Sequence, residues 1–84
     1  MVYYLIICRS LTYAQRTAAV LERAGIGARI MRSPRSIDAE GCSHAVKISE
    51  RTLSLALTLL AREGMNPKRV YILSANGDYN EVSL

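Results

Sequence analysis

Cys42 follows Gly41 within Ser33 to His44, a stretch with neither the alternation of a strand nor the spacing of a helix. Glycine lets the backbone bend there and present the next residue. Arg35, His44 and Lys47 lie close to Cys42 in the sequence. Nearby positive charge favours thiolate over thiol, and the thiolate is the nucleophile. Such a thiolate can attack a persulfide or disulfide and hold the transferred sulfur. Cys42 is therefore the candidate carrier thiol. Pro34 shapes its loop, Arg35 supplies charge, and His44 stands two residues on, on the same side if the segment is extended.

Other residue sets offer less chemistry. Cys8 ends an apolar run and reads as a small core hydrophobe. No acidic residue obviously orients His44, and a chain of this size leaves little room for the pocket and oxyanion site of a Cys-His hydrolase. Asp38 and Glu40 read as solvated loop carboxylates. Arg9, Arg32 and Arg35 would form an anion cradle if the loop folded back over the end of the first strand. Two cysteines without a CxxC, beside a single histidine, make a poor zinc set, so no structural metal is expected. No phosphate-binding glycine-rich loop is present, and no cofactor is expected. The chain does not read as a stand-alone enzyme.

The elements that must position Cys42 follow from hydrophobic period. Val2 to Cys8 is dense in aromatic and β-branched residues, which favours a strand. Both of its faces are apolar, so it is expected to be central in a sheet. Ser10, or Thr12 with Gln15, can start a helix. Tyr13, Ala14, Thr17, Ala18, Leu21 and Ala24 make one face of that helix, and Gly25 stops it. Ala28 to Arg32 alternates as a second strand, ended by Pro34. His44 to Ile48 is a third. Ser49 is expected to cap a second helix, striped by Leu53, Ala56, Leu57 and Leu60 and ended by Gly64. Arg69 to Leu73 is the fourth strand. Residues 75–84 hold the turn signal Asn76-Gly77-Asp78 and then a tail or a short extra strand.

The resulting order is strand, helix, strand, strand, helix, strand. It predicts an α+β, ferredoxin-like split βαβ sandwich: an antiparallel sheet with two helices on one face. The Cys42 segment then becomes an exposed connection between the second and third strands, where function tends to concentrate.

Length and composition set the class. The 84 residues are expected to form a single domain, 1–84, with half of them hydrophobic, which excludes a disordered chain. No apolar run is long enough to span a bilayer, and no basic leader precedes one, so a cytoplasmic protein is expected. Eleven Lys and Arg against seven Asp and Glu give a net charge of +4. The basic residues are spread along the chain, which suits a solvated surface better than a nucleic-acid patch.

Several of these residues together resemble a family. They are Ile7-Cys8-Arg9-Ser10, then Leu21-Glu22-Arg23-Ala24-Gly25-Ile26, then Pro34-Arg35-x-Ile37 followed by Cys42, then a leucine-rich helix ending at Gly64 and the Val70-Tyr71 strand. The pattern resembles the small bacterial selenium/sulfur carrier-like domains over roughly residues 2–73. The resemblance implies sulfur or selenium handling by Cys42, with sulfur- or selenium-transfer proteins as partners. Two positions depart from the family pattern. Ser43, not glycine, follows the cysteine, and the first strand carries Cys8.

A non-catalytic binding or dimerisation module is the competing expectation, because ferredoxin-like sheets host many roles. A homodimer would bury the open sheet face, expected to carry Tyr4 and Ile6. RNA binding is not expected, since Ala45-Val46-Lys47-Ile48 places no aromatic beside Tyr3 or Tyr4.

Overall fold

The computed structural model describes residues 2–39, 43–67 and 69–82. Its elements are β1 (Tyr3–Cys8), α1 (Leu11–Arg23), β2 (Arg29–Arg32), β3 (His44–Ser49), α2 (Leu53–Arg62), β4 (Arg69–Leu73) and β5 (Tyr79–Glu81). A short 3-10 turn over Glu50–Thr52 leads into α2. The strands form one sheet in the order β2-β3-β1-β4-β5, with every neighbouring pair antiparallel. The first four strands have the ferredoxin-like arrangement, and β5 adds a strand at the β4 edge. No helix among the described residues is long and apolar enough to cross a membrane.

Each helix starts and stops for local reasons. The Ser10 hydroxyl accepts from the Tyr13 amide at 3.1 Å and caps α1. At its other end the Ile26 amide donates to the Leu21 carbonyl and the Gly25 amide to that of Glu22, both at 3.0 Å. This is a Schellman stop, which requires the left-handed φ of +82° that Gly25 adopts. The same pattern closes α2: Met65 donates to Leu60 and Gly64, at φ +71°, donates to Ala61. Both stops also bury their apolar partners, Leu21 with Ile26 and Leu60 with Met65. The two halves of the fold thus end their helices alike. The start of α2 differs from expectation. Ser49 makes no side-chain cap; instead the Thr52 hydroxyl donates to the Ser49 carbonyl at 2.9 Å.

The core joins one face of the sheet to both helices. Ile6, Cys8, Val46, Ile48 and Val70 pack with Ala14, Ala18, Leu21, Ala56 and Leu60. Tyr4 packs against the same cluster. The expectation that Tyr4 and Ile6 face outward is therefore corrected: the helix-free face carries Tyr3, Leu5 and Ile7. Both faces of β1 are apolar, so its sequence does not reveal which one the helices cover. Leu5 is 0 % exposed although no helix covers it. It sits between Lys47 on β3 and Tyr71 on β4 in the ladder, and the Lys47 ammonium lies 4.3 Å from the Tyr3 ring centroid.

The described part of the connection between β2 and β3 is partly buried, with Arg35, Ser36 and Ala39 exposed. Ser33 is 5 % exposed, and Pro34, Ile37 and Asp38 are half-buried. The Arg69 guanidinium donates to the Ile37 carbonyl at 3.4 Å, so this loop reaches β4, two strands beyond β3.

Candidate thiol site at the end of the sheet

The end of β1, the start of α1, the β2–β3 loop and the α2–β4 loop meet around a cleft of about 390 Å³. Its lining includes Cys8, Arg9, Tyr13, Asp38, Ser43 and Arg69. Among the described residues Cys8 is the thiol on its wall, and it is 2 % exposed. Its sulfhydryl makes weak contacts with the Ile6 carbonyl at 3.7 Å and the Thr17 hydroxyl at 3.8 Å. Thr17 in turn donates to the Tyr13 carbonyl at 2.9 Å. Burial pushes the Cys8 thiol above its ordinary range, and the Thr17 contact opposes this only in part. Cys8 therefore rests as a neutral thiol at neutral pH. Its core reading stands, and it also lies beside the loop.

The loop is organised by its own polar groups. The Pro34 carbonyl accepts from the amides of Ile37 and Asp38, both at 2.9 Å, which makes a tight turn. Asp38 Oδ2 accepts from the Ser43 amide at 2.9 Å and its hydroxyl at 2.6 Å. Ser43 Oγ also lies 2.8 Å from Ser33 Oγ, and the Ser33 amide donates to the Ser43 carbonyl at 3.2 Å. These bonds fix the entry to β3 against the cleft. Asp38 is thus a structural acceptor, not a solvated bystander.

His44 opens β3 and pairs with Cys8 across the ladder. Residues directly opposite share a face, so the imidazole stands on the helix side with the Cys8 thiol. Its Nδ1 is buried and has no hydrogen-bond partner among the described residues.

The cations are distributed differently from expectation. Arg9 lines the cleft and lies 5.3 Å from the Tyr13 ring centroid. Arg32 and Arg35 are exposed and do not line it. Arg69 stands in their place, held by the Ile37 carbonyl and the Tyr71 hydroxyl. The Tyr71 contact raises the Arg69 pKa further, so the guanidinium stays charged. Lys47 is engaged on Tyr3, away from the cleft. The expected cradle of Arg9, Arg32 and Arg35 is replaced by Arg9 and Arg69. In the sequence, Arg69 signals only the first position of a strand; its reach to the loop requires β4 to lie beside β1.

Glu40, Gly41 and Cys42 lie outside the described residues. Ser43, the next residue after Cys42, lines the cleft. With two guanidinium groups at its walls, the cleft suits a small anionic or polarised group.

No curated protein and no solved structure matches the chain. Residues 3–72 match the family described as "Putative Se/S carrier protein-like", and the chain belongs to that family.

Proposed function

We propose that the protein is a sulfur or selenium carrier that holds a persulfide-type adduct on Cys42. Family membership carries this reading. The guanidinium groups of Arg9 and Arg69, which line the same cleft as Ser43, support it, because positive charge near a thiol favours the thiolate. The Cys42 thiolate attacks the terminal sulfur of a donor persulfide. A new S–S bond forms to Cys42, the donor's S–S bond breaks, and the donor leaves as a thiolate that takes up a proton. Sulfur transfer of this kind needs no external oxidant. An acceptor thiolate then attacks the same terminal sulfur and regenerates the Cys42 thiolate. A selenium adduct follows the same course.

Pro34 sets the loop turn, and Arg35 adds charge on its exposed side. Cys8 takes no part, because it is buried and stays protonated. Sulfur- or selenium-transfer proteins supply and receive the cargo, so the protein turns over only with partners.

Intact-mass measurement after incubation with a cysteine desulfurase and cysteine tests the reading. One added sulfur on the native chain and on Cys8→Ser, absent from Cys42→Ser, supports it. Equal gain by Cys42→Ser, or no gain by the native chain, overturns it.

A further inference from the structure

The helix-free face gathers aromatic rings from neighbouring strands. Tyr3 on β1, Tyr71 on β4 and Tyr79 on β5 all point to it. Their ladder partners fix this, with Tyr3 opposite Leu73, Tyr71 opposite Leu5 and Tyr79 opposite Leu73. Tyr71 is therefore diagonal to both other tyrosines, a separation of roughly 7–8 Å. All three are half-buried, so each keeps some accessible surface. Tyr71 and Tyr79 line a second cleft of about 430 Å³, walled on one side by Ser36 and Ile37 of the β2–β3 loop. Basic groups flank the rings on the same face. Lys47 lies over Tyr3, Arg69 lies 5.3 Å from the Tyr71 centroid, and Arg29 stands opposite Lys47 on β2. Among the described residues, Glu81 opposite Tyr71 and Asp78 at the second cleft are the acidic groups there.

We infer that this face binds single-stranded RNA. Unpaired bases stack on accessible aromatic rings, and phosphates follow a basic margin. Here the rings lie on β1, β4 and β5, and the basic margin runs through Arg29 and Lys47 towards β2. A base enters the cleft between Tyr71, Tyr79 and Ile37, where the Asp78 carboxylate can accept from an exocyclic amine. The backbone then crosses towards Lys47 and Arg29. The absence of an aromatic on β3 does not weaken the platform, because β4 and β5 supply the rings. RNA is the assigned strand because unpaired loops and ends are its usual presented form. The inference is independent of the carrier reading.

Fluorescence anisotropy of the full chain with a short labelled single-stranded RNA of degenerate sequence tests it. Binding is expected at low salt, and log affinity is expected to fall against log salt with a slope of about −1.4 for the two phosphate contacts at Lys47 and Arg29. Tyr71→Ser and Tyr79→Ser are each expected to weaken binding at least about fivefold, while Tyr71→Phe retains it. Arg16→Gln, on the exposed side of α1, is expected to leave it unchanged. Thermal melts of each variant separate lost binding from lost folding. No binding at low salt overturns the inference, as does an equal loss in Arg16→Gln, which indicates diffuse charge attraction. Equal affinity for DNA of the same sequence overturns the assignment to RNA. A concentration-dependent dimer in sedimentation that Tyr71→Ser abolishes assigns the face to a second copy instead.

Discussion

One carboxylate oxygen of Asp38 accepts both the backbone amide and the hydroxyl of Ser43. This ties Asp38 of the β2–β3 loop to Ser43, just where the chain enters β3 at the cleft. The bonds are partly buried, so removing the acceptor leaves the Ser43 amide poorly satisfied and its hydroxyl with Ser33 Oγ alone. Asp38→Ala is expected to cost about 1–3 kcal/mol in urea unfolding. Asp38→Asn, which keeps an acceptor oxygen, is expected to cost less. Wild-type stability in Asp38→Ala means that the loop is held by other contacts.

The two helix starts make a paired prediction. Ser10 accepts from a first-turn amide, whereas Ser49 makes no such bond. Ser10→Ala is expected to cost about 1 kcal/mol. For a domain of this size that is a fall of roughly 4–8 °C in Tm. Ser49→Ala is expected to leave Tm nearly unchanged. Equal losses in thermal melts refute the assignment of the caps.

These cases show which features the sequence makes legible. The element order, both glycine stops and the ferredoxin-like topology are local or periodic, so they can be read from residue types. The serine caps divide, because Ser10 and Ser49 look alike and only the 3-10 turn at Glu50–Thr52 separates them. The helix-covered face of β1 is illegible, since Tyr3, Leu5 and Ile7 are as apolar as Tyr4, Ile6 and Cys8. Within the candidate site, Cys8 could be read as core. The roles of Asp38 and Arg69 could not, because their partners, Ser43 and Ile37, are joined to them by loop closure and strand order.

His44 offers a test of a buried polar atom. Its Nδ1 lacks a partner among the described residues, so burial costs free energy without a compensating bond. His44→Leu is expected to change stability by less than about 1 kcal/mol, in either direction. Ile48→Ala on the same strand removes a side chain from the core and is expected to cost about 2–5 kcal/mol. A loss in His44→Leu as large as that in Ile48→Ala shows that the imidazole is bonded in solution.

Cys8 makes a prediction in pH. Burial raises its folded-state pKa, so the folded protein keeps the thiol proton after an unfolded chain has lost it. The stability it contributes is complete below the unfolded pKa and declines as pH rises through the folded value. In the Cys42→Ser background only Cys8 can be alkylated. Iodoacetamide is expected to react slowly, with a rate midpoint above the ordinary thiol value of about 8.5, and urea is expected to restore fast reaction. The stability advantage of Cys8 over Cys8→Ala, compared in that background, is expected to shrink as pH rises from the ordinary thiol value of about 8.5 towards that higher midpoint. Fast alkylation of the folded protein with an ordinary midpoint shows that the thiol opens to solvent, and makes Cys8 a second acceptor at the cleft.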